Sequence, residues 1–236
     1  MPLEHQVHAH HIRPATDLAE RVLLPGDPAH ALAAAQALLE PPPKMFNHAR
    51  GLWGYTGIAA DGEPLTVQAT GLGGPSAAIV CEELIALGAT RLVGIGTCAA
   101  LGPELARGSL LAVESVLPAD GTSVALGADA PLAPDRDLLE RLVGAGARPA
   151  TVASSDLFYD PRDGAVAGWV ESGALAVEMV AAAILQVAAR RGLPAACVLG
   201  VTEVPASNGA RPMSPDELGD LAVRVGEAGY AALRNP

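Results

Sequence analysis

Aromatic residues make up only 3% of the 236-residue chain: two Trp, three Tyr and two Phe. A core must therefore be filled by Ala, Val and Leu, whose small side chains let helices come close to a sheet. Cysteine is equally scarce. Cys81, Cys98 and Cys197 are odd in number, far apart and set in apolar surroundings, so they read as small core residues rather than ligands or a disulfide framework. Positive charge is short as well, with 15 Lys and Arg against 26 Asp and Glu and a formal net charge of −11. Such a balance disfavours a nucleic-acid partner, which needs a basic surface. A small anion stays open, because one cradle of N–H groups and a single Arg suffice. No apolar run reaches the roughly 18–20 residues of a membrane span. Met1–Arg13 is polar and His-rich, without the apolar stretch of a signal peptide. The expectation is a soluble cytoplasmic protein without a membrane partner.

Half the residues are hydrophobic and 17% are charged, which excludes a disordered chain. Short β-rich runs alternate with helical runs, the mark of α/β layers. Strands are expected at Arg21–Leu24, Tyr55–Ala60, Pro64–Thr70, Leu92–Ile95, Leu110–Val116, Ala150–Ala153, Ala174–Val177 and Ala195–Val201. Asp61-Gly62 reads as a two-residue hairpin turn and Gly96-Thr97-Cys98-Ala99 as a tight turn. Asp27 followed by Pro28 signals one helix start, and Ser214-Pro215-Asp216-Glu217 is a capping box opening the last helix. Neither an internal repeat nor a dividing linker interrupts the chain, so 1–236 is expected to form a single domain.

Glycine-rich turns follow three of these strands, at Pro25-Gly26-Asp27-Pro28, Gly71-Leu72-Gly73-Gly74 and Gly94-Ile95-Gly96-Thr97. Ligands of open α/β sheets sit at the carboxyl ends of strands, where such turns leave N–H groups free. Any one of them is as readily a structural turn; three together point to a cleft. Neither a phosphate loop ending in Gly-Lys nor a complete Gly-x-Gly-x-x-Gly is present, so triphosphates and dinucleotides are unsupported. Glu178 and Glu203 each end an apolar run. A carboxylate there costs desolvation unless it meets a donor, and a helix cap or a rim charge competes with function as its explanation.

The runs Arg21-Val-Leu-Leu-Pro-Gly-Asp-Pro28, Asn47-His-Ala-Arg-Gly-Leu-Trp-Gly-Tyr-Thr-Gly57 and Thr70-Gly-Leu-Gly-Gly-Pro-Ser-Ala-Ala-Ile79, followed by Ala153-Ser-Ser-Asp-Leu-Phe-Tyr159 and Ala176-Val-Glu-Met179, resemble the hexameric nucleoside phosphorylases of the bacterial purine and uridine type. The match runs from about His11 to the last helix, and the short segment between Tyr159 and Glu178 is like that of the purine enzymes. The resemblance implies a three-layer sandwich, a central mixed β-sheet flanked by helices, in a dimer-based homohexamer. It implies nucleoside and inorganic phosphate as substrates, with no metal and no organic cofactor. By motif, Gly26 and Thr97 contact phosphate, with Arg50 reaching the phosphate of an adjacent subunit. Phe158 stacks on the base, Met179 packs under the ribose, and Glu178 accepts from its hydroxyls. His11 comes from the neighbour towards the 5′-hydroxyl, with His10 an alternative by spacing.

The departures fall on the anion site. His30 and Gly94 stand where the family has phosphate-binding arginines, Val180 replaces a second ribose carboxylate, and Glu203 takes the place of the catalytic Asp, with Arg211 further along the same loop. Losing two of three arginines would weaken phosphate binding by roughly 3–6 kcal/mol, at about 1.5–3 kcal/mol per charged hydrogen-bonded group. Restoring both, His30→Arg with Gly94→Arg, is expected to tighten it if the pocket has room. The leading expectation is a phosphorylase in which Glu178 and phosphate stabilise a ribosyl cation and Glu203 protonates the departing base. A nucleosidase using water, and a nucleoside-binding protein without chemistry, share the same cleft.

Overall fold

The computed structural model describes residues 8–205 and 212–234. Strand β1 (Arg21–Pro25) is buried along its whole length. Asp27 then caps α1 (Pro28–Leu38), accepting the Ala29 N–H at 2.7 Å with Pro28 in the first turn. Next come β2 (Lys44–Asn47), a short 3-10 turn (Ala49–Gly51), and the antiparallel pair β3 (Gly54–Ile58) and β4 (Pro64–Gln68). Helix α2 (Gly73–Ala86) leads into β5 (Arg91–Ala100), β6 (Leu110–Ala119), α3 (Gly121–Ala125), α4 (Arg136–Gly144) and β7 (Arg148–Ser155). After α5 (Ala165–Glu171) come β8 (Ala176–Glu178), α6 (Ala181–Arg191), β9 (Ala195–Glu203) and α7 (Pro215–Leu233). The capping box at the head of α7 is present: Glu217 N–H donates to Ser214 Oγ and Ser214 N–H to Glu217 Oε2.

The nine strands form one mixed sheet in the order β2-β3-β4-β1-β5-β8-β7-β6-β9. Strand β9 pairs with β5 as well as with β6, so β5, β8, β7, β6 and β9 close on themselves while the other four extend from β5. Val80 and Leu84 of α2 and Ile184 and Val187 of α6 pack on one face. On the other, Ala34, Leu142, Leu221 and Val225 bring α1, α4 and α7 together. This is the sandwich that the resemblance implies. The scarcity of bulky side chains is used where α7 crosses the sheet: a Cβ on Gly229 would lie 2.6 Å from Ile95 Cγ2 and 3.0 Å from Leu23 Cδ2. Helix and sheet meet there without a side chain between them.

Two local expectations need correction. Gly96-Thr97-Cys98-Ala99 is not a turn but the second half of β5. It stays extended because it finds partners on both sides, with Thr97 opposite Gly200 of β9 and Ala99 opposite Val177 of β8. Asp61-Gly62 is not a two-residue hairpin turn either. Ile58 pairs with Pro64, so the loop spans 59–63, and the Asp61 carboxylate binds Arg21 as well as accepting the Glu63 N–H at 3.2 Å within the loop. Strand β2 and helices α3 and α5 have no clear periodicity in the sequence. Among the described residues no helix is long and apolar enough to cross a membrane, and the three cysteines are buried and free.

Candidate active site

Strands β4, β1 and β5 lie side by side and parallel, so the segments leaving their carboxyl ends share one rim. Thr70 N–H donates to Pro25 O at 2.8 Å, which ties the loop after β4 to the end of β1. Gly71 and Gly73 have φ of +78° and +80°, and a Cβ on Gly71 would sit 2.7 Å from Ser76 Oγ, so this loop needs glycine. A Cβ on Gly26 would lie 3.6 Å from Gly71 O. The two glycine segments therefore touch, and each opens a helix, α1 or α2, whose first N–H groups favour an anion. His30 is half-buried in the first turn of α1, and Thr97 is exposed on β5.

The register of β5 places the remaining expected groups around its second half. Ala99 faces Val177 on one side and Glu203 on the other, so Glu178, Met179 and Glu203 flank Thr97. Glu178 is buried, at 5% exposure. Its Oε2 accepts the N–H groups of Val180 at 2.6 Å and Ala181 at 2.9 Å, and its Oε1 accepts the Ser154 hydroxyl. Ser154 Oγ in turn accepts the Ala182 N–H at 2.9 Å. A carboxylate and a hydroxyl thus satisfy the first donors of α6. Burial pushes the Glu178 carboxyl above its ordinary range, against the pull of those donors. The Met179 N–H adds a further backbone donor to the same carboxylate. Met179 is half-buried at the corner that this network holds.

Glu203 is exposed at the end of β9, and the neighbouring Thr202 hydroxyl donates to Cys98 O at 3.3 Å. Arg211 lies outside the described residues. Phe158 is 66% exposed, with Tyr159 packed edge-on at 5.0 Å between ring centres. Its loop is anchored by Asp156, which accepts the Gly121 N–H at 2.7 Å.

Arg50 and His11 belong to a second group, assembled by a buried side chain that sequence reasoning did not single out. Asn47 Oδ1 accepts the N–H groups of Arg13 at 2.9 Å and Ala49 at 3.3 Å, while Asn47 Nδ2 donates to Leu52 O. It joins the N-terminal segment to the turn that carries Arg50. Its only sequence signal was its place at the head of the Asn47–Gly57 motif. Arg50 is exposed and is the one non-glycine residue of those described with left-handed backbone, at φ +58°. Such strain persists where the surroundings impose it, and it gathers at functional sites. His11 Nδ1 lies 2.6 Å from Glu83 Oε1, with its side chain 32% exposed.

Gly94, by contrast, cannot stand in for an arginine. Its Cβ would meet Cys197 Sγ at 2.7 Å and Ile184 Cδ1 at 3.0 Å, inside the layer between β5 and α6. The condition of spare room fails at this position. Gly94→Arg is expected to destabilise the fold by at least the 1–3 kcal/mol typical of overpacking, roughly. Thermal unfolding of Gly94→Arg beside His30→Arg checks this: the first should lose several degrees of Tm, the second should not.

The family model for the phosphorylase superfamily matches residues 20–235. The chain is 36% identical over 198 residues to the DeoD-type purine nucleoside phosphorylase of Caldanaerobacter subterraneus subsp. tengcongensis, covering 79% of this chain and 84% of that protein. It is 34% identical over 225 residues to the DeoD-type purine nucleoside phosphorylase of Roseobacter denitrificans, covering 91% and 95%. To the guanosine phosphorylase of Halorubrum lacusprofundi it is 32% identical over 214 residues, covering 87% and 88%. With a matched region that takes in the glycine segments, Thr97, Glu178 and Glu203 alike, this chain belongs to the phosphorylase superfamily.

Proposed function

We propose that the protein cleaves the N-glycosidic bond of a purine nucleoside with inorganic phosphate, giving the free base and a pentose 1-phosphate. The observation that carries this reading is the meeting of two glycine-opened helix N-termini with Thr97, Glu178–Met179 and Glu203 around one strand, β5. The names of the relatives support the choice of purine.

Phosphate sits against the N–H groups near Gly26 and the Thr97 hydroxyl, with His30 beside it on α1. The ribose lies over Met179, with one hydroxyl donating to the Glu178 carboxylate. Phe158 offers its π-face to the base. A phosphate oxygen bonds to the anomeric carbon as the carbon–nitrogen bond breaks. The electron pair goes to the purine, which takes a proton from Glu203 or from solvent through it. The negative phosphate stabilises the positive charge of the transition state.

The site is completed by a second copy of the chain, which brings Arg50 to the phosphate and His11 to the 5′-hydroxyl. Exposed Trp53 and Leu72 adjoin the contact between Leu52 and Gly71, and exposed Ile79 lies one helical turn from Glu83. These apolar side chains favour covering that face with another subunit, and a dimer-based hexamer is the assembly we assign. A hydrolytic reading draws on one feature, the closed slot at Gly94 that removes a cation from the anion site. Phosphorus NMR of a guanosine digest separates the two. Ribose 1-phosphate is the expected product, and free ribose would replace phosphorolysis by hydrolysis.

A further inference from the structure

Helix α2 carries two adjacent acids with different partners. Glu82 pairs with Arg191 at 2.6 Å, while Glu83 is buried at 4% exposure and forms no salt bridge with a Lys or Arg among the described residues. A carboxylate in that setting is costly unless donors surround it. Its donors come from one segment more than 70 positions away, chiefly His11 and Ile12. Ile12 N–H donates to Oε2 at 2.7 Å, His11 N–H to Oε2 at 2.9 Å, and His11 Nδ1 lies 2.6 Å from Oε1. Burial acts to raise the Glu83 carboxyl, but the His11 ring and the backbone donors outweigh it and hold it below its usual range.

The two backbone bonds and the buried side chain of Ile12, 1% exposed, already anchor this segment. The bond to Nδ1 does something else. An ionised carboxylate only accepts, so it keeps a proton on Nδ1 and fixes both the ring plane and the tautomer. Nε2 is then the nitrogen with a free lone pair, able to accept a hydroxyl proton.

We infer that Glu83 is a positioning residue for substrate recognition: through Nδ1 it aims His11 so that Nε2 accepts the 5′-hydroxyl of a nucleoside bound by the neighbouring subunit. This rests on the reading of His11 given under the proposed function. The test compares kcat/KM for a purine nucleoside and its 5′-deoxy analogue in the wild type, His11→Ala, Glu83→Gln and the double variant. Glu83→Gln is expected to lower kcat/KM for the nucleoside about tenfold, the size of one lost hydrogen bond, and to leave the 5′-deoxy analogue little changed. The double variant should then be no worse than His11→Ala. Equal losses on both substrates would make Glu83 a structural anchor only and overturn the inference. If His11→Ala itself fails to discriminate the substrates, the placement of His11 is wrong, which is a separate outcome. Should Glu83→Gln not fold, nitrogen-15 NMR of histidine-labelled wild type decides, with His11 identified by its loss in His11→Ala. A proton on Nδ1 is expected, and one on Nε2 overturns the inference.

Discussion

Replacing Asp61 by alanine is expected to destabilise the protein by about 3–5 kcal/mol, because a buried cation is left without its partner. Arg21 is 2% exposed and donates to both oxygens of Asp61, to Pro64 O and Glu63 O at 2.8 Å each, and to Leu233 O at 3.4 Å. The Asp61 N–H donates to Tyr230 Oη at 3.0 Å, and the Arg21 guanidinium lies 5.8 Å from the Tyr230 ring centre. One ion pair thus joins β1, the β3–β4 loop and α7. The bond from Arg21 holds the Asp61 carboxyl well below the usual carboxylate range, although burial opposes it. The stabilisation is therefore complete above the unfolded carboxyl value of about 3.9 and is lost as pH falls below it. In urea unfolding, the gap between wild type and Asp61→Ala should be widest at neutral pH and should narrow below about pH 4. A gap under about 1 kcal/mol at neutral pH, the level of an exposed pair, would mean that the pair does not hold these elements together. Arg21→Met combined with Asp61→Ala should be much milder than Asp61→Ala alone, since no charge is stranded.

Arg50→Gly is expected to separate function from stability. Glycine accepts the left-handed backbone that Arg50 is forced into at φ +58°, so the variant should gain about 1 kcal/mol of folding stability. Phosphate binding should weaken by roughly 10- to 150-fold, the equivalent of about 1.5–3 kcal/mol for one charged hydrogen-bonded group. The effect should appear in KM for phosphate. Because Arg50 is proposed to serve a neighbour, mixing Arg50→Gly subunits with subunits disabled at Glu203 should restore some sites to full phosphate affinity. Unchanged phosphate KM would remove Arg50 from the anion site, whatever its strain signifies.

Much of this was legible because the relevant signals are local. The Asp27-Pro28 and Ser214–Glu217 helix starts needed only a few consecutive residues, and both were found where expected. The glycine segments after β1 and β4 were legible for the same reason. Gly96–Ala99 was misread because its conformation is decided by pairing with β8 and β9, distant in sequence. The second role of Asp61, as partner of Arg21, is invisible locally because Arg21 lies 40 positions away. The same blindness hid Glu83: nothing in Glu82-Glu83 says which acid turns inward, since that depends on the path of residues His11 and Ile12. It also concealed the engagement of Glu178 by Ser154 and the head of α6, which leaves that carboxylate without a free edge.

In the proposed reaction, phosphate held at the rim of β5 is the nucleophile. Initial rates of free-base release from a purine nucleoside, measured in phosphate-free buffer and across a phosphate titration, test it directly. Base release should be negligible without phosphate and, with the Gly94 slot closed by Cys197 and Ile184, should saturate only at high phosphate. Base release at the same rate in both buffers would contradict the account and identify water as the nucleophile.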